Sequence, residues 1–268
     1  MRKFQITLCA AAVLLAACHG NQTGSLTPDP PPILFAMRTY EKSRPGCGDH
    51  GNHAQACVSF RAIWPEFSGG ANGAAKKMNA AVLLALGFPE GATEMEPFGE
   101  SMIGHWQAEH RGVVYADSTW FERRIVQVLA RRPGVWSFRV DRIGQTGKAL
   151  PFMERSYLNL DPLTGLPVTL NAVLTYAGAA GLAATAERQL HAQLGLAESA
   201  SLPLKANIFA LPEQFALTSA GLVLAWQGDA LSDPAAAVIE ITVPWSEARG
   251  MVKASIVKPP TAEVAQGF

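Results

Sequence analysis

Charge is scarce in this chain. Only 16% of its 268 residues are Asp, Glu, Lys or Arg, and 22 acidic side chains cancel 22 basic ones. A neutral balance gives no long-range attraction to nucleic acid or to an anionic membrane surface, so no nucleic-acid partner is expected. No apolar run reaches the roughly 18–20 residues that a membrane-spanning helix needs, which excludes a polytopic membrane protein. Cysteine is rare, four in all, and none stands in a Cys-x-x-Cys pair. That excludes a disulfide-dense scaffold and the usual zinc sites. Catalytic signatures are missing as well. Gly99-Glu100-Ser101 is followed by Met102-Ile103, not by the second glycine of a nucleophile elbow, and no His-Glu-x-x-His occurs. Gly147-Lys148 lacks the flanking glycine and the Ser/Thr of a phosphate loop. The histidines at 50, 53, 105, 110 and 191 show no ligand spacing beyond the 50/53 pair; 105 and 110 do not share a helix face. The expectation is no catalytic centre, no metal and no cofactor. Hydrophobic residues are plentiful, at 49%, and they supply a sizeable core.

The first residues speak to destination. Arg2 and Lys3 precede a short apolar run from Ile6 to Ala17, which is an export signal by its length and flanks. It ends in Leu15-Ala16-Ala17-Cys18, which resembles a bacterial lipobox. The resemblance implies cleavage after residue 17 and lipidation of Cys18, which would hold the protein to a membrane. Cleavage would leave 251 residues with 20 basic and 22 acidic side chains, a net charge of −2. His19 stands where an aspartate would favour inner-membrane retention, so a periplasm-facing place on the outer membrane is expected. Residues 18–32, polar and rich in proline, read as a tether.

Cys47 and Cys57 remain, within a stretch rich in Gly, His and Asn. In an oxidising compartment such a pair forms a disulfide, worth roughly 3 kcal/mol by the chain-entropy model. The competing reading is a metal site built from Asp49, His50, His53 and one or both thiols, but the spacing matches no zinc motif.

Periodicity predicts an α+β fold, mostly antiparallel sheet with a few helices packed on one face. Ile33–Tyr40 and Ala56–Trp64 read as strands. Ala75, Met78, Asn79, Val82, Leu83 and Leu86 follow helical spacing, with Asn72 as cap and Gly87 with Pro89 as stop. A weaker helix is expected over 93–110. From Trp120 the period becomes two, and Trp136, Phe138 and Val140 alternate with Ser137, Arg139 and Asp141 as in a half-buried strand. A hairpin is expected between 157–161 and 167–170. Leu182, Ala186, Leu190 and Leu194 mark a helix, and three more strands follow over 214–218, 222–226 and 238–243. The expected division is an N-terminal α+β region over 33–150, a C-terminal domain over 151–254, and a loose tail over 255–268. Arg123, Arg124, Arg131, Arg132, Arg139 and Arg142 gather on one hairpin. They read first as structural partners of acids such as Glu122 and Asp141, and second as an anion-binding patch. Most of the six tryptophans are expected in the core.

Several C-terminal motifs carry a family resemblance. They are Tyr157 to Gly165 with its Asp161-x-x-Thr164-Gly165 turn, Phe215-x-Leu217-Thr218-x-x-Gly221-Leu222, and Pro244-Trp245-Ser246 after a strand. Together these resemble the extracytoplasmic domain of RsiV-type anti-sigma factors, found also beside PdaC-type polysaccharide deacetylases. The resemblance covers about residues 155–247, with a weaker one over 56–88. It implies a non-catalytic binding module, since in RsiV-type proteins this domain senses lysozyme. The chain departs from the pattern in having no sigma-binding segment, Gln145 to Ala149 in place of a Gly-Gly-Ala-His stretch, and no aromatic residue in 227–237. An anti-sigma role is therefore not implied. The expected function is a lipid-anchored envelope module that binds a lysozyme-like hydrolase as inhibitor or sensor, with Asp229 and Asp233 as candidate contacts. The alternative is a structural or peptidoglycan-binding lipoprotein.

Overall fold

Five strands follow one another across the larger sheet: β1 (Ile33–Ser43), β2 (Val58–Gly69), β3 (Trp120–Arg132), β4 (Val135–Gln145) and β5 (Phe152–Leu160). The computed structural model describes residues 31–44, 47, 57–109, 120–146, 150–233 and 238–257. Cys18, the tether up to residue 30, Asp49, His50, His53 and the tail from 258 lie outside them. All pairings in this sheet are antiparallel except β2 with β3, which run parallel from Val58/Trp120 to Ile63/Ile125. Parallel neighbours need a long crossover. The chain between them supplies it with α1 (Ala74–Ala85) and α2 (Glu96–Glu109). After β5 come α3 (Leu170–Val173) and α4 (Gly178–Gln193). The smaller antiparallel sheet is β6 (Gln214–Leu217), β7 (Gly221–Trp226) and β8 (Ile239–Pro244), followed by α5 (Trp245–Ala248) and α6 (Ala254–Val257). The architecture is α+β, as the periodicities predict. β5, the first strand past residue 150, completes the larger sheet, so the chain beyond that point contributes to both.

Two cores result. The stripe Ala75, Met78, Val82, Leu83 and Leu86 lays α1 on the larger sheet against Phe60, Phe138 and Leu160. The stripe Leu182, Ala186 and Leu190 lays α4 on the smaller sheet against Phe215, Leu224 and Val243. Asn79 belongs to the first stripe for a polar reason. The β2–β3 ladder stops at Ile63. Beyond it Phe67 finds its partner in Asn79, whose Oδ1 accepts from the Phe67 N–H at 2.8 Å and whose Nδ2 donates to the Phe67 carbonyl at 3.0 Å. Gly87, at φ 80°, ends α1 as expected. Its N–H reaches the Leu84 carbonyl, and that of Phe88 reaches Leu83. This is the paired-bond ending that a left-handed glycine permits. The start of α1 corrects the sequence reading. Asn72 does not cap it; Gly73 holds the cap position at φ 72° without a side-chain bond, and Asn72 is itself left-handed at φ 53°.

Two further expectations are corrected. β4 is not half-buried. Phe138 and Val140 face the first core, while Ser137 and Asp141, on the other face, are buried too. The predicted hairpin of 157–161 with 167–170 is reduced to one bridge, Leu160 with Pro167, and the chain from Leu170 turns helical.

The second face of β4 and β5 is covered by β6. Asn159 Nδ2 donates to the Phe215 carbonyl at 2.7 Å, and Ser137 Oγ accepts the Leu217 N–H at 3.0 Å. The Ser137 hydroxyl donates in turn to Asn159 Oδ1. These cross-strand neighbours thus occupy backbone groups on the edge of β6 that its ladder with β7 leaves open.

The C-terminal motifs have structural explanations. Asp161 Oδ1 accepts the Leu163 N–H at 2.8 Å and the Asp161 carbonyl accepts the Gly165 N–H at 2.7 Å, closing the turn. Gly165 sits at φ 72°, and a Cβ there would lie 2.4 Å from the Ala74 carbonyl oxygen. Thr218 Oγ1 bonds both the N–H and the carbonyl of Gly221. Trp245 Nε1 donates to the Thr218 carbonyl at 3.0 Å. The indole also carries the buried Arg132 guanidinium, 4.4 Å above its ring. Arg132 donates to the carbonyls of Ile256, Val257 and Thr218.

Candidate functional site

Strand register decides which loops meet. Tyr157 N–H donates to Gln214 Oε1 and Asn159 donates to Phe215, so contacts on β5 and β6 advance together. β7 reverses direction, and Trp226 pairs with Ile239. The β4–β5 and β7–β8 connections therefore leave the fold at the same end. The ion pair of Arg155 with Glu240, 3.5 Å apart, spans the two sheets there. Leu150 and Met153 stand exposed at this end, at 89% and 59%. The turn Gly228–Ala230 presents Asp229, and Asp233 is exposed just beyond Leu231. Residues 147–149 and 234–237 of these connections lie outside the described residues.

Asp229 also lines a pit of about 440 Å³. Leu204, Ile208, Leu211 and the buried Trp226 make its apolar wall, and Glu213 adds a second carboxylate. Trp226 is fixed by a bond from Nε1 to the Ala210 carbonyl at 2.9 Å and by the ring of Phe209, 5.8 Å away. The segment beside it holds two consecutive left-handed residues, Ala206 and Asn207, both at φ 55°. Asparagine tolerates that region, but alanine is disfavoured there by roughly 1–2 kcal/mol. Strain of this kind collects at binding surfaces, where surrounding structure holds it in place. Sequence reasoning found Asp229 but missed Glu213, Lys205 and Ile208. They belong to a loop without periodicity, and the one local hint was Asn207.

Between the sheets, behind the loop end, lies a charge cluster. Asp141 accepts from Arg139 Nε at 2.9 Å and from Arg155 Nε at 2.7 Å. Burial and a hydrogen bond to Glu240 push the Tyr157 hydroxyl well above its ordinary value, so it keeps its proton further into the alkaline range than a free tyrosine. The charges balance, and the cluster ties β4 and β5 to β8.

Two more arginines of the hairpin, Arg124 and Arg142, are structural, whereas Arg123 is exposed beside the Phe121 ring. Arg124 is buried, bonded to Glu122 at 2.7 Å and to the Leu86 carbonyl at the end of α1. Its guanidinium lies 4.0 Å from the centre of the Phe98 ring and 4.9 Å from that of Phe88. Burial pulls its pKa down, partly offset by Glu122. Arg142 bridges Glu122 and Glu154. Cys47 and Cys57 are joined in a disulfide with Cα atoms 5.5 Å apart, and both are buried. The Cys57 carbonyl accepts the Trp120 N–H at 2.7 Å, which ties the cystine to the start of β3. Among the described residues no group of three or more His, Cys, Asp or Glu side chains is placed to hold a metal ion.

No family model and no curated protein matches the chain. Solved structures do. A DUF3298 family member from Bacteroides fragilis superposes with a TM-score of 0.59 at 15% identity, covering 83% of this chain and 94% of its own. A DUF3298 family protein from Pseudomonas aeruginosa PAO1 gives 0.53 at 16% identity, over 86% and 98%. At such identities the likeness speaks for architecture alone: this chain has the fold of DUF3298 proteins, a domain of unknown function.

Proposed function

We propose that this protein is a lipid-anchored binding module of the cell envelope, and that the loop end around Asp229 takes a basic protein partner of the lysozyme type. The observation that carries the reading is the pit itself. Its apolar wall suits the aliphatic stem of an arginine or lysine, and Asp229 and Glu213, two carboxylates against the one ammonium of Lys205, suit the cationic head. Leu150 and Met153 add exposed apolar area at the same end. Lipidation at Cys18 would keep this surface in the periplasm, where wall hydrolases act. Calorimetric titration of residues 19–268, disulfide intact, with a panel of lysozymes tests the reading. Micromolar or tighter binding that weakens by about tenfold in Asp229→Asn and Glu213→Gln supports it. Silence across the panel, or binding indifferent to both substitutions, sinks it.

A further inference from the structure

A larger hollow, about 870 Å³, opens between the β1–β2 hairpin, α1 and the segment 91–96. Leu83, Met95 and Phe67 form apolar wall, and two aromatic side chains, Tyr40 and Trp64, stand half-buried beside them. These two share a face of the hairpin, since Tyr40 pairs with Ala62 and Arg38 with Trp64, two residues along. Neither aromatic is spent on the core alone.

Two observations narrow the occupant. The first concerns backbone. Where β2 has lost its neighbour, Asn79 already satisfies both backbone groups of Phe67. An extended peptide adding to that edge would find these groups taken. Recognition falls to side chains, and aromatic faces interleaved with hydrogen-bonding groups suit a ligand that is itself apolar on its faces and polar at its rim, as a sugar ring is. The second concerns charge. Glu66 is held by Arg38 at 2.6 Å. Glu94, Glu96 and Lys76 line the groove outside any ion pair with a described residue, and Lys42, whose charge reaches Glu96, is itself held by Glu100. The balance inside is therefore negative, which favours a cationic group. We infer that this groove binds a short glycan segment bearing free amino groups, with Trp64 and Tyr40 as stacking faces and Glu94 and Glu96 as partners of the ammonium.

The test is calorimetric titration of the full chain in detergent with a glucosamine tetramer and with its fully N-acetylated counterpart, at low ionic strength. The expected result is tighter binding of the amine form by about fivefold or more. Trp64→Ala weakens both oligomers by about tenfold, and Trp64→Phe, which keeps an aromatic ring and the fold, gives an intermediate loss. The exposed double change Glu94→Gln/Glu96→Gln abolishes the preference and leaves the acetylated form bound as before. The inference is overturned if the amine form does not bind, if the two oligomers bind equally, if Trp64→Ala and Trp64→Phe leave affinity unchanged, or if a lysine-rich peptide competes more tightly than the glycan. None of these outcomes depends on the surface around Asp229, so this proposal and the protein-binding reading fail separately.

Discussion

Removing the Asn159 side chain tests the claim that the Ser137–Asn159 pair, in place of a backbone ladder, holds the edge of β6 on β4 and β5. In Asn159→Ala the Phe215 carbonyl loses its donor and the Ser137 hydroxyl its acceptor, in a site where both Ser137 and Asn159 are buried. Each buried group left unpaired costs about 1–3 kcal/mol, so the expected loss is about 2–4 kcal/mol. Ser137→Ala strips the Leu217 N–H of its acceptor and Asn159 Oδ1 of its donor, with a loss in the same range. The two side chains share one bond and one strand edge, so the double variant should lose less than the sum, with a coupling of about 1 kcal/mol or more. Asn159→Asp is the sharper probe. The carboxylate has the same shape but sets an acceptor against the Phe215 carbonyl and brings a charge into a buried site, so it should cost more than alanine at pH 7 and recover on acidification as the acid regains a donor. Urea denaturation of residues 19–268, with unchanged slope, gives all four values. A loss below about 0.5 kcal/mol for Asn159→Ala, or strict additivity in the double variant, would refute the reasoning.

Arg124→Met should lose about 2–3 kcal/mol in the same assay, because it takes the nearer of two cationic partners from a largely buried Glu122, leaving Arg142, and the donor from the end of α1; Arg124→Lys should recover only part, having no planar face for Phe98. Gly165→Ala forces a left-handed alanine into the Ala74 carbonyl and should cost about 2–4 kcal/mol, whereas Gly134→Ala, with nothing near its Cβ, should cost only the backbone penalty. Reduction of the Cys47–Cys57 bond, or Cys47→Ser/Cys57→Ser, should lower unfolding free energy by roughly 3 kcal/mol, read by thermal melts with and without reductant. Tyr157 holds its proton in the folded state above its ordinary pKa of 10.0. Above that pH the unfolded chain releases a proton that the folded chain keeps, so stability falls as pH rises; Tyr157→Phe should flatten the fall between pH 10 and 11, and identical alkaline profiles would remove that assignment.

Legibility in the sequence followed periodicity. The stripes of α1 and α4 bury one face each, and both were plain from spacing; so were β6, β7 and β8, whose ends are marked by Thr218, Gly221 and Pro244. β4 was legible as a strand, yet its second covered face was not. Ser137 and Asp141 are polar and look like solvent positions until Arg155 pairs from the neighbouring strand and β6 arrives from 80 residues away. The Asn72 cap failed because a good capping side chain does not decide backbone conformation, and here the left-handed turn through Asn72 and Gly73 took precedence. Asp229 was named for its loop, but the pit behind it depends on the 204–213 segment, which has no period to read. The Tyr40–Trp64 groove depends on β1, β2, α1 and the 91–96 segment meeting, a matter of tertiary placement that single residues do not announce.

Arg132 sets a schedule for folding. Its buried guanidinium is satisfied by the carbonyls of Ile256 and Val257, 124 and 125 residues away in sequence. A nascent chain that has made both sheets still holds that cation without its last acceptors until residue 257 has emerged. The β3–β4 hairpin, local and early to form, thus carries a lock whose key is synthesised late. Closure over so long a span is slow, and intermediates with the smaller sheet undocked leave the edge of β6 bare. A chain shortened before α6 would keep the Thr218 carbonyl for Arg132 but lose those of Ile256 and Val257, leaving a buried cation short of acceptors.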